Sequence, residues 1–415
     1  MFRRSWPCAV LAAFLLMGCD SIQQPFSTQQ STLSTPQTQE SPARQRGVID
    51  SAAARRAGSP YAPTAQSSIT PPTQETQPNL IQPPREAKIG LLVPLSGRSA
   101  PLGQAMVNAA QLAVFDVGIQ GFELMPRDSK GTSEGAIQAT QDLITKGAQL
   151  IVGPLFAADV AAVKPFVQSA HINMLALSTD ISLAAPGAYV MGFAPAPQVD
   201  RIVDYAVKQG LHSFAALIPS GPYGQLVAKE FEQAILSHKA TLVTSQPLSN
   251  LAAIIEQKDA IDALFLPLGG GELRSTVAQL EAADFQPGHV RLLGTGLWDE
   301  PNLAQDHILL MGGWFAAPEP QTREHFLQSY QDTYGQKPPR LATLAYDATA
   351  LAAVLARSGM TYDESSLTLP AGFAGLDGLF RLKANGQIER GLAVLEVGDT
   401  ENRVIDPSPT SFARP

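Results

Sequence analysis

From residue 87 onward, short apolar runs alternate with longer amphipathic ones, and this alternation constrains the fold more than any other feature of the chain. Strand-like runs are read at 88–93, 122–126, 150–152, 173–177, 213–218, 240–245, 263–266, 291–293 and 309–315. Helix-like runs lie between them. Residues 133–146 start on Ser133, place Ile137, Leu143 and Ile144 on roughly one face and stop at Gly147. Residues 199–209 carry Ile202, Val203, Ala206 and Val207 before Gly210, and Phe326, Tyr330 and Tyr334 recur four apart. Residues 341–355 are apolar nearly all round, which marks a buried helix. Strands alternating with crossovers of this length predict parallel sheets covered by helices on both faces. About ten β/α units are too many for one sheet, so two α/β lobes are expected. Within 378–397, two strand-like runs flank Asn385-Gly386, a strong hairpin signal because both residues tolerate positive φ.

The residues ahead of this body differ. Arg3 and Arg4 precede the apolar run 8–17, then Gly18 and Cys19, the pattern of a secretory signal too short to span a bilayer. Residues 20–86 are rich in Ser, Thr, Gln and Pro and predict a disordered linker, since they offer too little apolar surface to offset chain entropy. Such a linker reaches on the order of 50 Å as a coil and ~200 Å when stretched. The expected organisation is a signal peptide at 1–18, a linker at 19–86, a folded domain at 87–398 and a tail at 399–415. Within the domain, lobe one takes 87–198 and 317–372, and lobe two takes 199–316 and 373–398.

Composition narrows the function classes. The net charge of −8 argues against a duplex nucleic-acid binder. No run of 18 or more apolar residues occurs in the body, so no interior transmembrane helix is expected. The two cysteines, Cys8 and Cys19, leave none for a disulfide within the folded body. Six histidines are scattered at 171, 212, 238, 289, 307 and 325 with no i, i+4 metal pair, and neither Cys-x-x-Cys nor a Gly-x-x-x-x-Gly-Lys-Ser/Thr loop is present. No catalytic residue, metal or cofactor is expected, and the chain is read as a non-enzyme.

Several stretches carry a resemblance. Leu16-Met17-Gly18-Cys19 resembles the bacterial lipobox, which implies acylation of Cys19 and attachment to a membrane through lipid alone. KIGLLVPLSGRSAPLGQAMVNAAQLA resembles the opening of type I periplasmic binding proteins of the branched-chain amino-acid receptor class. LITKGAQLIVGPLFAADVAAV, INMLALSTD, SFAALIPSGPYGQLVAKEFEQAI, FLQSYQDTYGQKPPRLATLAYDATALAA and GLFRLKANGQIERGLAVLEV are similar to later segments of that family, in order. The resemblance covers about residues 87–398 and implies two doubly wound parallel-sheet lobes joined by a hinge. On a lipid-anchored chain, GLLVPLSGR with LGQA looks most like the C-terminal domain of penicillin-binding-protein activator lipoproteins of the LpoA type. Enterobacterial members of that type have an N-terminal helical repeat domain where this chain has its linker.

The family holds ligands between lobes, just beyond the carboxyl ends of strands. The cleft candidates implied are Ser96, Ser178, Thr179, Tyr223, Glu272 and Trp298. All but Tyr223 have a plainer role open to them. Ser96 can cap the first helix, and Ser178 and Thr179 can close a turn. Glu272 can be a solvated helix-start carboxylate, and Trp298 can pack between lobes. Residues 153–158, after the third strand, offer no side-chain hydroxyl, and Pro154 removes one N–H, which weakens an amino-acid carboxylate site there. Two partners stay open: a peptidoglycan synthase (a penicillin-binding protein), or an ABC permease with a small amino-acid-like ligand in the cleft. The expected location is the periplasmic face of the envelope. Asp20, directly after the lipidation candidate, leaves inner against outer membrane open.

Overall fold

The computed structural model describes residues 86–412 apart from 301 and 306. The signal peptide, Cys19, Asp20 and the linker up to residue 85 lie outside the described residues.

The first lobe opens with five strands and three helices. Strands β1 (Ala87–Val93), β2 (Phe122–Asp128), β3 (Leu150–Val152), β4 (Asn173–Ala176) and β5 (Ala188–Val190) alternate with helices α1 (Ala100–Val117), α2 (Ser133–Thr145) and α3 (Ala157–Ser169). The sheet order is β2-β1-β3-β4-β5, every pair parallel. Successive side chains point to opposite faces, so Ile89, Leu91 and Val93 join one core while Leu92 joins the other. Helices α2 and α3 cover the second of these faces.

The chain then enters the second lobe through α4 (Pro195–Lys208). Strands β6 (Ser213–Ile218), β7 (Thr241–Pro247), β8 (Ala263–Phe265), β9 (Arg291–Gly294) and β10 (Trp314–Ala317) follow, with α5 (Pro222–Ser237), α6 (Leu251–Glu256) and α7 (Gly270–Ala282). It returns to the first lobe as α8 (Gln321–Tyr334), α9 (Ala342–Arg357) and α10 (Glu364–Leu367). Helix α9 is buried along almost its whole length between α1 and the sheet, where alanines at 105, 109, 342, 350 and 353 allow close packing. Strands β11 (Phe373–Gly375), β12 (Gly378–Leu382) and β13 (Ile388–Arg390) make a small antiparallel sheet. Its hairpin turns at Asn385-Gly386, with Phe380 opposite Arg390. Strands β14 (Ala393–Glu396) and β15 (Arg403–Asp406) complete the second sheet, in the order β15-β14-β10-β9-β8-β6-β7.

Three readings from the sequence change here. The run 309–315 is not one strand: residues 308–310 form a 3₁₀ turn and β10 starts only at Trp314, after Gly312-Gly313. A short apolar run cannot show its own periodicity, so strand and turn read alike. Residues 373–390 do not belong to lobe two. Phe373, Phe380, Leu382 and Ile388 pack into the core of the first sheet, and the chain leaves that core only at 391–392. Within the tail at 399–415, β15 pairs antiparallel with β14.

The same strand-to-helix turn appears in both lobes. Pro94-Leu95-Ser96-Gly97 leads to Pro101-Leu102-Gly103-Gln104, and Pro219-Ser220-Gly221 leads to Pro222-Tyr223-Gly224-Gln225. A Cβ at Gly103 would overlap the Pro94 carbonyl, and one at Gly224 the Pro219 carbonyl. Each glycine therefore lets its helix start directly against the strand end, which brings α5 and its Tyr223 to the mouth of the cleft.

Candidate functional site

Three crossovers join the lobes: residues 191–194 after β5, 318–320 after β10 and 391–392 after β13. Beside them lies a cavity of about 700 Å³. Phe193, Pro195, Pro222, Leu226, Leu297 and Leu341 give it a largely apolar wall. Thr179, Asp180, Gln198, Tyr223, Thr295, Asp299, Arg340 and Arg390 supply its polar groups.

Except for Asp180, whose carboxylate accepts only from Ser182, the charges at this cavity are paired with protein groups. Asp299 follows the turn 296–298 of lobe two and meets Arg323 of α8 at 2.8 Å and Arg340 at 3.8 Å. The Asp299 and Arg323 side chains are 11% and 9% exposed, so water screens their pairing little. Arg340 also reaches Asp377 at 2.7 Å and donates to the Thr343 hydroxyl at 2.8 Å. Asp377 is fully buried, which alone would raise its carboxyl. The guanidiniums of Arg340 and Arg390, with hydrogen bonds from Arg340 and Thr343, outweigh that and hold it below the usual carboxylate range. Arg390 donates to the Met191 carbonyl at 2.8 Å and lies 3.9 Å from Asp347. Phe193 sits under both cations, 4.4 Å from the Arg340 guanidinium and 5.4 Å from that of Arg390. Arg340 thus directs all three of its guanidinium nitrogens to protein partners.

The six sequence candidates separate. Thr179 and Tyr223 line the cavity, and the Tyr223 hydroxyl lies 3.4 Å from Thr295 Oγ1. Ser178 is buried, and its hydroxyl accepts from the Asp180 N–H at 3.1 Å, which closes the turn after β4. Ser96 is exposed and does not cap α1, whose N-cap position is Ser99. Its hydroxyl instead bonds the Asp128 carboxyl; slight burial would raise that group, but this bond and backbone N–H groups hold it below its ordinary range. Glu272 is exposed in the first turn of α7, away from the cavity lining. Trp298 is fully buried in the core of lobe two, tilted against Phe315, so it forms neither the cleft rim nor an interlobe contact.

Sequence reading passes over the residues that give the cleft its electrostatics: Asp299, Arg323, Arg340 and Asp377. One signal does point there, since Arg340 is a charge set between Pro338-Pro339 and the largely apolar, buried α9. Gly131-Thr132-Ser133-Glu134-Gly135 also spells Gly-x-Ser-x-Gly, the string of a nucleophile elbow. Ser133 begins α2 and its hydroxyl donates to the Ala158 carbonyl at 3.2 Å, with no histidine as a partner, so the string is a helix start. Among the described residues no group of three His, Cys, Asp or Glu side chains is placed to hold a metal ion, and no helix is long and apolar enough to cross a membrane.

Comparison with known proteins agrees with this architecture. A substrate-binding protein of an ABC transporter from Sphaerobacter thermophilus superposes with a TM-score of 0.65 at 20% identity, covering 79% of this chain and 98% of that one. A penicillin-binding protein activator, LpoA, from Glaesserella parasuis is 29% identical over 146 residues, 35% of this chain and 24% of that protein. An uncharacterised Rickettsia prowazekii protein is 24% identical over 161 residues, 38% of this chain and 42% of that one. The matches thus span less than half the length of these two curated relatives. The periplasmic binding protein family model matches residues 86–402. With its two parallel-sheet lobes, three crossovers and interlobe cavity, the chain belongs to the periplasmic binding protein family, type I, of the branched-chain amino-acid class.

Proposed function

We propose that this chain is a non-enzymatic, lipid-anchored protein of the bacterial envelope that activates or scaffolds peptidoglycan synthesis through a penicillin-binding protein. One observation carries the reading: the cations of the cleft, Arg340 and Arg390, are engaged by protein groups, so none is left over for a ligand's carboxylate. A zwitterionic amino acid needs a cationic or N–H-rich cradle for its carboxylate and an acidic group for its ammonium. Here Arg340 is held by Asp377, Thr343 and Asp299, and Asp299 by Arg323. Breaking these pairs would leave buried charges without partners, at a cost of several kcal/mol. Residues 153–158, which lack a hydroxyl, are also absent from the cavity lining. The likeness to the Glaesserella activator over 146 residues supports the same reading. The lipobox-like Leu16-Met17-Gly18-Cys19 and the long linker suit a domain that reaches a partner away from its membrane. The test is co-purification: the full chain carried on affinity resin should retain a purified bifunctional penicillin-binding protein at near-physiological salt, and loss of that retention would count against the reading.

A second reading has its own support. The cavity's volume lies within the usual range for small-molecule sites, about 300–1,000 Å³, and Thr179 and Tyr223 offer hydroxyls into it. This favours a solute receptor for an ABC permease. In a thermal-shift screen, a ligand at a hundred times its Kd adds about 2.7 kcal/mol of stability. A clear rise with one amino acid or small amide favours the receptor over the activator.

A further inference from the structure

We propose that the two lobes are locked at one angle by two ties on opposite sides of the crossovers, so that this domain is a rigid body and not a clamp that closes on a ligand. The first tie is inside the cleft. Asp299, anchored in lobe two by the buried Trp298 beside it, pairs with Arg323 and Arg340 of lobe one, and Asp377 holds Arg340 from behind. Of these pairs, those of Asp299 cross between the lobes, and the side chains of Asp299 and Arg323 are almost fully buried.

The second tie is the segment after β15. Leaving the edge of the lobe-two sheet at Asp406, it runs along the crossovers to lobe one. Ser408 donates from both its N–H and its hydroxyl to Glu319, each at 2.8 Å, and Glu319 lies in the crossover 318–320. Pro409 packs where a side chain on Gly391 would stand, in the crossover after β13. Phe412 ends on lobe one, 4.7 Å from the Arg381 guanidinium of β12 and against Gly372. One strap thus grips two of the three crossovers and both lobes. A hinge opens only if its crossovers are free to change φ and ψ. Here opening breaks a buried ion pair on one side and strips a strap from the other. The inference goes beyond the activator reading and does not depend on it, because no partner takes part in either tie.

Hydrogen–deuterium exchange on the full chain tests it, comparing wild type with Asp299→Asn and with a truncation after Asp406. Loss of either tie should speed exchange about tenfold or more at the crossover amides of Gly192 and Gly391 and in the peptide 295–299, while β1 and β8 stay protected. If Asp299→Asn does not fold, the truncation alone decides. Wild-type exchange at the crossovers in both folded variants, or a rise spread evenly over the sheet cores, overturns the proposal.

Discussion

Gly294, the last residue of β9, lies face to face with the indole of Trp298, so that a Cβ there would overlap the ring. Gly313, ahead of β10, closes on the same ring from the neighbouring strand. The tryptophan is therefore a core residue of lobe two that the glycines make room for. Trp298→Ala should cost about 3–5 kcal/mol by urea unfolding, and Gly294→Ala should also destabilise by forcing the indole to move. Neither loss is expected to depend on any cleft ligand.

Arg323 and Asp299 form the other relationship the account depends on. Arg323→Met should destabilise by about 3–5 kcal/mol because it leaves Asp299 buried without its nearest partner. Adding Asp299→Leu should recover part of that loss, since the pair then becomes apolar. Denaturant midpoints for wild type, the two single variants and the double variant complete the cycle, and additive losses would show that the two side chains do not interact.

Acid should act through Asp377. Its folded-state carboxyl is held below its unfolded value, so its contribution is fully present above the unfolded value, about pH 4, and is lost as pH falls through the depressed native one. Melting temperature should thus decline on going below about pH 4. Asp377→Asn should lower it at neutral pH and flatten that acid decline. A variant whose acid limb matches wild type would remove Asp377 from the account.

Ser178 and Tyr223 are predicted to part company. Ser178→Ala removes a buried acceptor from the Asp180 N–H and should cost about 1 kcal/mol. Tyr223→Ala gives up a half-exposed ring and a long contact to Thr295, and should cost less. If the cleft holds a solute, Tyr223→Ala should abolish its thermal shift while Ser178→Ala keeps it.

Much of the fold is legible in the sequence because buried parallel strands read as apolar runs and the helices between them carry a different period. The limits are equally physical. β5 has three residues, too few for any period, and β15 is a sheet edge whose sequence looks like a tail. The small sheet 373–390 has hairpin chemistry that fixes its turn but says nothing of which core it joins. The cleft is harder still. Loop residues after strands are picked by position, and of those picked Thr179 and Tyr223 line the cavity. Trp298 occupies such a position yet turns inward, because Gly294 and Gly313 open space beneath it. Asp299, Arg323, Arg340 and Asp377 come from four separate segments, and only the folded chain brings them together.

The most direct test is the rate of glycan-strand polymerisation by a purified bifunctional penicillin-binding protein, titrated with the full chain. The account predicts a saturable rise in rate that does not change when amino acids are added. No change in rate at saturating chain, together with a thermal shift produced by one amino acid or small amide, would contradict it.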